Sequence, residues 1–136
     1  MAETKYYWED LQAGQVRDLG SVTPTREAII AFATQFDPQP FHLDEEAGKA
    51  SLLGGLAASG WHTAGIAMRL HADNLLHGES FLGSPGIAEL NWMKAVYVGD
   101  VLTMRTEIKS LRTSQSRPGI GLMEMEHALA NQHGER

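Results

Sequence analysis

The chain has 136 residues and no cysteine, which suits a single domain over residues 1–136 and excludes disulfides, thiolate metal sites and a cysteine nucleophile. Its 11 basic and 17 acidic residues give a net charge of −6, and the absence of a Lys/Arg cluster argues against nucleic-acid binding. No apolar run approaches the roughly 20 residues of a membrane span, and the N-terminus lacks the apolar stretch of a secretory signal, so we expect a soluble, cytoplasmic protein.

The first part of the chain predicts a strand followed by a helix. Residues 14–22 carry valine and leucine among polar residues and end before Pro24, a pattern that predicts a first strand. An apolar stripe with helical spacing then predicts a helix, and its members are Ile29, Phe32, Ala33 and Phe36. Thr25, or Thr23 with Pro24 at the first helical position, is suited to cap the start of this helix.

The helix is predicted to stop where two prolines follow it, in the segment from Asp37 to His42. Proline lacks an N–H and disfavours helix in the preceding residue, so we expect an extended or turned loop over residues 37–42. Asp44 is suited to cap a short acidic turn, and Gly54-Gly55 predict a bend. The least interrupted helical pattern runs from Gly60 to about Leu76, and its small residues favour close packing against a sheet or a partner.

After this helix the pattern changes to strands. Residues 88–93 and 101–111 alternate apolar and polar side chains, which predicts two strands separated by a turn over residues 96–100. A turn over residues 114–119 and a long strand over residues 120–130 follow. One strand, a helical half and several antiparallel strands indicate an α+β domain. A doubly wound parallel sheet is disfavoured because no helices separate the later strands.

Asp37 and His42 are the candidate catalytic pair. A carboxylate and an imidazole five residues apart can hold one water only if the loop folds back, because five extended residues span roughly 17 Å. The two prolines reduce the number of shapes that this loop can adopt. Structural roles are the alternatives: Asp37 can end the helix by bonding its own backbone, and His42 can be a buried histidine with satisfied hydrogen bonds.

The start of the long helix is the second segment with chemical potential. The first backbone N–H groups of a helix have no internal acceptor, and the helix dipole adds positive potential there. Gly60 has no side chain to block its N–H from a ligand carbonyl. Such a donor suits the enolate oxygen that forms when a thioester gains or loses a proton at its α-carbon.

Several segments carry a family resemblance. Asp37-Pro38-Gln39-Pro40-Phe41-His42 resembles the D-x-N-P-x-H hydratase signature of the MaoC-like dehydratases, relatives of the (R)-specific enoyl-CoA hydratases. Further similar segments follow in the right order, over residues 54–60, 92–96 with Gly99-Asp100, and 112–118. The resemblance extends over most of the chain, from about Tyr7 to Glu135.

The resemblance implies a hot-dog fold, in which an antiparallel sheet wraps a long central helix that starts near Gly60. It also implies that Asp37 and His42 are the catalytic residues that activate or receive water, with the Gly60 N–H at the oxyanion position. Gln39 and Ser59 are expected to bind substrate. Gln39 takes an amide position where asparagine is more usual, and Ser59 stands where many relatives carry histidine.

The same resemblance leads to expectations about subunit assembly and about the number of strands in the sheet. Family members form homodimers with acyl-thioester sites at the subunit interface, so we expect a homodimer or a higher homo-oligomer. They usually continue past residues 134–136 into one more strand. We therefore expect that this C-terminal strand is absent from the chain, or that another segment covers the free edge.

The expected activity is that of a hydro-lyase of fatty acid metabolism that reversibly hydrates a 2-enoyl thioester. The substrate is expected to be an acyl-CoA, with coenzyme A as part of the substrate, no other cofactor and no metal. An acyl-CoA thioesterase and a non-catalytic acyl-thioester binding module are the alternatives, because a fold does not determine a function.

The remaining reactive side chains have structural interpretations. His62, His71 and His77 are spaced by nine and six residues, whereas helical metal ligands sit three or four apart. Trp61 and Trp92 are expected in core packing or in a dimer contact, although an acyl pocket is the alternative. Two further cations, Arg112 and Arg117, are expected to be solvated hairpin charges, with binding of coenzyme A phosphates as the alternative.

Overall fold

The computed structural model describes residues 11–74, 83–117 and 119–136. It contains an antiparallel three-stranded sheet in the order β1–β2–β3 together with four helices in the described part of the chain. In chain order the elements are β1 (Val16–Val22), α1 (Arg26–Phe36), α2 (Pro40–Leu43), α3 (Glu45–Ala50), α4 (Gly60–Asn74), β2 (Leu102–Thr113) and β3 (Gly121–Ala130). This architecture confirms the predicted α+β class.

The central strand β2 organises the sheet. It pairs with β1 so that Val16 faces Glu107, and with β3 so that Thr113 faces Gly121. Alternate side chains of β2 are buried while their neighbours are mostly exposed, as a sheet with one covered face requires. The buried ones are Leu102, Met104, Thr106 and Ile108.

The core lies between the sheet and the helices. One cluster joins α1 to the segment before α4 and to the sheet, and it contains Ile29, Leu56, Ala58, Val96 and Leu102. A second cluster joins α4 to the sheet through Leu19, Leu70 and Met104. Toward the end of α4, the Asn74 amide donates to the backbone oxygens of Leu19 and Leu70, at 2.7 and 2.9 Å. These contacts hold α4 across the sheet.

The predicted helix caps are confirmed at two positions. Thr25, rather than Thr23, caps α1, and its hydroxyl accepts a hydrogen bond of 3.0 Å from the Ala28 N–H. Asp44 caps α3 by accepting 2.9 Å from the Ala47 N–H. The long predicted helix starts at Gly60 as expected, and its predicted last residues, 75 and 76, lie outside the described residues.

Two sequence predictions about local structure are wrong. The expected loop over residues 37–42 is shorter, because Pro40 starts the helical turn α2, a position where the missing N–H of proline costs nothing. The expected strand over residues 88–93 does not form, and the described sheet consists of β1, β2 and β3 alone. The nearest pairing is a single bridge between Ala57 and Tyr97.

Both predicted turns are present. The Asp100 N–H donates 3.1 Å to the Tyr97 oxygen, and the Asp100 carboxylate accepts 2.9 Å from the Tyr97 N–H. In the β2–β3 hairpin the Ser114 N–H donates 2.8 Å to the Ile120 oxygen. Among the helices of the described ranges, none combines the length and the apolar character needed to cross a membrane.

Candidate active site

The segment after α1 folds back on itself, as the candidate pair requires. The backbone N–H of Gln39 donates to the backbone oxygen of Asp37 at 2.7 Å, and the backbone N–H of His42 donates to the backbone oxygen of Gln39 at 2.9 Å. These two short-range bonds reverse the chain. As a result His42 Nε2 lies 3.4 Å from Asp37 Oδ2, far closer than the roughly 17 Å of an extended segment.

The His42 ring is fixed by its second nitrogen. Its Nδ1 lies 2.7 Å from the Ala57 carbonyl oxygen, which only accepts hydrogen bonds, so Nδ1 carries the proton. The ring is buried, and Phe41 packs edge-on against it at 4.6 Å between centroids. This arrangement leaves Nε2, which faces Asp37, as the nitrogen that can exchange a proton.

The Asp37 carboxylate accepts a hydrogen bond on each oxygen. Gln39 Nε2 donates to Oδ1 at 2.6 Å, and Ser59 Oγ donates to Oδ2 at 2.7 Å. The hydrogen bond from Gln39 lowers the pKa of Asp37 most, and the hydrogen bond from Ser59 lowers it next. Burial raises this pKa and the nearby His42 lowers it slightly, so the net change is a lowering. Asp37 is therefore ionised at neutral pH.

Ser59 connects the carboxylate to the central helix. It stands directly before α4, and its hydroxyl accepts 3.3 Å from the Trp61 N–H while donating to Asp37. Ser59 is fully buried and does not line the cavity described next. In this position its hydroxyl orients Asp37, and its expected contact with a substrate stays a prediction.

A cavity of about 350 Å³ opens onto the pair and onto the start of α4. The polar side chains in its wall are Asp37, Gln39, His42, Thr63 and Lys94. The rest of the wall is Gly60 with the apolar side chains Leu53, Ala57, Ala58, Trp61, Trp92, Ala95 and Val96. Four of the five predicted site residues thus line one cavity, and the fifth, Ser59, lies behind it.

The expected core role of the two tryptophans is wrong. Trp61 and Trp92 are 58% and 49% exposed, and both line the cavity, where their rings meet edge to face at 5.1 Å. The sequence contained only a weak signal for this position: an aromatic residue directly after Gly60, and another at the end of an alternating segment that forms no strand. The dimer contact stays a prediction.

Other reactive groups lie elsewhere. His62 and His71 do not line the cavity, and no three potential ligands come together within the described ranges to hold a metal. His77 lies outside the described residues. Arg112 and Arg117 are exposed at the β2–β3 hairpin and are not part of the cavity wall.

Comparisons with known proteins agree on the kind of fold. The sequence model of a family described as MaoC like domain matches residues 10–126. The crystal structure of a MaoC-like dehydratase from Rhodospirillum rubrum is similar with a TM-score of 0.86 and 42% identity, covering 96% of this chain and 89% of that one.

Two other relatives extend the comparison. The (R)-hydratase from A. caviae involved in PHA biosynthesis has a TM-score of 0.70 at 21% identity, over 93% of this chain and 90% of that one, a likeness of fold alone. The uncharacterized protein YdeM of Bacillus subtilis (strain 168) is 28% identical over 112 residues, which are 82% of this chain and 79% of YdeM.

Proposed function

The chain belongs to the MaoC-like dehydratase family and has its hot-dog fold, and from this premise we propose that it reversibly hydrates a 2-enoyl thioester of coenzyme A. Family membership supports a hydratase or dehydratase activity in general terms. One observation supports the more specific proposal: Asp37 Oδ2 and His42 Nε2, which can bind and deprotonate water, lie 3.4 Å apart in the wall of a cavity that is also lined by Gly60 at the start of α4.

The first step of hydration is activation of water by the pair. The two oxygens of Asp37 are already held by Gln39 and Ser59, and the carboxylate stays ionised because its pKa is lowered. Water donates one hydrogen bond to this anion and the other to His42 Nε2. As the water oxygen attacks C3 of the enoyl group, its proton passes to the pair, and the adjacent negative charge stabilises the imidazolium.

The second step concerns the electrons displaced from the double bond. Attack at C3 moves them through C2 to the thioester carbonyl, which becomes an enolate oxygen. The Gly60 N–H, at the positive end of α4, donates to this oxygen. The proton held by the pair then returns to C2 from the same side, so one molecule of water is added. Dehydration is the reverse sequence.

Assembly into a homodimer or a higher homo-oligomer is part of the proposal. Residues 87–93 form no strand, yet they expose large apolar side chains: Ile87 is 72%, Trp92 49% and Met93 76% exposed. Exposed apolar side chains of this size suit contact with a second subunit. They adjoin the cavity through Trp92, so a second subunit there would help to close the site. The cytoplasmic location remains a prediction.

The test is an assay with two readouts on crotonyl-CoA, hexenoyl-CoA and decenoyl-CoA. The proposal predicts loss of enoyl absorbance without release of free thiol. Thiol release would instead identify a thioesterase. Thermal stabilisation by every acyl-CoA, with no turnover of any, would identify a binding module. Either of these results contradicts the proposal.

A further inference from the structure

Trp92 is fixed directly against the start of α4. Its Nε1–H donates 2.8 Å to the Gly60 backbone oxygen. Its ring lies so close to Gly60 that a Cβ on this residue would come within 2.6 Å of Cε2 and 2.8 Å of Nε1. A side chain at residue 60 would therefore displace the indole from this position, and the hydrogen bond to the Gly60 oxygen holds the indole there.

Trp61 supports the indole of Trp92 from a second direction. The two rings meet at 80° with their centroids 5.1 Å apart, an edge-to-face geometry that aromatic pairs prefer. Both rings belong to the cavity wall. At about 350 Å³ the cavity is near the lower end of ligand sites, which span roughly 300–1,000 Å³. A fixed aromatic wall in a small cavity limits the shape of what can bind.

The proposed function places the acyl group relative to this wall. In the proposed function the thioester oxygen accepts a hydrogen bond from the Gly60 N–H. Since C2 is only two bonds from that oxygen, C2 also lies near Gly60. C3 must face Asp37 and His42 to receive water. The indole of Trp92 is a part of the cavity wall that contacts Gly60, so it lies close to the thioester end of an acyl group placed in this way. A substituent on C2 points away from C3, and in this placement it meets the indole.

We propose that Trp92 is a specificity-determining residue that excludes acyl thioesters branched at C2 and selects those with an unbranched C2. This inference rests on the proposed function, because it uses the contact between the thioester carbonyl and Gly60. Trp61 meets the indole edge to face, whereas the hydrogen bond to the Gly60 oxygen is made by Trp92, so removal of Trp61 affects branching selectivity less.

Binding of unreactive ligands tests this inference without turnover. Butyryl-CoA and isobutyryl-CoA have the same composition and lack the double bond, and they differ in whether the fourth acyl carbon is attached to C3 or, as a branch, to C2. Calorimetric titration of the full chain is expected to show tighter binding of butyryl-CoA by about 10-fold to 200-fold, the usual discrimination for one misplaced methyl group. In Trp92→Val this preference should fall to within about 3-fold, while the matched variant Trp61→Val keeps most of it.

Turnover provides the second arm of the test. The ratio of kcat/KM for tiglyl-CoA, which carries a 2-methyl group, to that for crotonyl-CoA should rise at least about 10-fold in Trp92→Val. If Trp92→Val does not fold by circular dichroism, Trp92→Leu replaces it. Equal affinity of the unaltered protein for the two saturated ligands overturns the inference, and so does a folded Trp92 variant with unchanged preference. Failure of the proposed function would appear separately, as absent hydration with the binding preference retained.

Discussion

The polar groups at the two ends of the central helix α4 differ in how they are partnered. At its start, the groups of the candidate site have partners: Ser59 donates to Asp37 at 2.7 Å, and His42 Nδ1 bonds the Ala57 oxygen at 2.7 Å. Of the buried ring nitrogens there, Nδ1 of the neighbouring His62 has no partner within the described residues. Toward its end, His71 is only 4% exposed, and its Nε2 has no hydrogen-bond partner within the described residues. The His71 ring instead packs 4.5 Å from the ring of His127.

The groups at the start of α4 are suited to catalysis, whereas the buried histidine near its end affects the pH dependence of stability. Hydrogen bonds at the start of α4 define a tautomer for His42 and a charge for Asp37, which are the properties that acid–base catalysis needs. At the other end, burial and then the proximity of His127 lower the pKa of His71 to about 4. His71 is therefore neutral at pH 7, and its Nε2 has no hydrogen-bond partner within the described residues. A buried histidine is informative only together with its partners.

Substitution of Asp37 or His42, beside the start of α4, should have the largest effect on activity. Asp37→Asn removes the charge, and His42→Ala removes the nitrogen that accepts the proton, so each should lower kcat/KM for crotonyl-CoA by about 10²–10⁴-fold. Circular dichroism should remain unchanged, since both side chains lie in the cavity wall. The matched surface variants Asp18→Asn and His133→Ala should keep full activity. Near-normal hydration by either site variant would remove the pair from the mechanism.

Acidification should lower the stability of the fold through His71, near the end of α4. Because the pKa of His71 is below its ordinary value of 6.5, the unfolded chain binds a proton there at higher pH than the folded one. Stability is therefore full above pH 6.5 and declines toward pH 4, by up to about 3 kcal/mol from this residue. Urea unfolding at pH 7, 5.5 and 4 measures it.

Substitution at the same position isolates the contribution of His71. His71→Leu should show a shallower loss of stability between pH 6.5 and 4, whereas His133→Leu should follow the unaltered protein. The pKa of His127 is also lowered by burial, so part of the slope should persist in His71→Leu. Identical slopes in all three proteins would mean that His71 is not held neutral by the fold.

A smaller effect on activity is expected from removing the hydrogen bond between Ser59 and Asp37. Ser59→Ala removes one hydrogen bond to the Asp37 carboxylate, a bond to a charged group, and should lower kcat/KM by about 10-fold to 100-fold. It should also raise the pKa of Asp37, so the acidic limb of the pH–rate profile should move to higher pH. Ser110→Ala, on the exposed side of β2, is the control. An activity loss without movement of this limb would assign Ser59 a purely structural role.

Sequence patterns predicted the elements whose structure is set locally. The helix predicted from the stripe around Ile29 and the alternation in β2 were correct, because one face of each element packs on the core. The stripe itself was correct only in part: Ile29 and Ala33 are buried, whereas Phe36 is 65% exposed. The helical turn at Pro40 was missed, because a proline that breaks one helix is also suited to start the next. Alternation over residues 88–93 failed as a predictor, since a strand also needs a neighbouring strand.

The candidate site could be predicted only in part. Asp37 and His42 were selected on residue type and short spacing, and Gly60 on its place at the start of the predicted helix, with the family resemblance supplying their expected roles. The hydrogen bonds of Gln39 and Ser59 to Asp37 depend on side-chain conformation and, for Ser59, on packing between α1 and α4. The location of Trp92 depends on a contact with Gly60, 32 residues earlier, which no local pattern encodes.

The most direct test of the account is a double-mutant cycle on Asp37 and His42. If the two residues act as one unit on one water, the double variant Asp37→Asn/His42→Ala should hydrate crotonyl-CoA about as slowly as the slower single variant. Losses of about 10³-fold in each single variant would then give about 10³-fold in the double variant. Multiplication to about 10⁶-fold would show two independent contributions and would contradict the shared role of the pair.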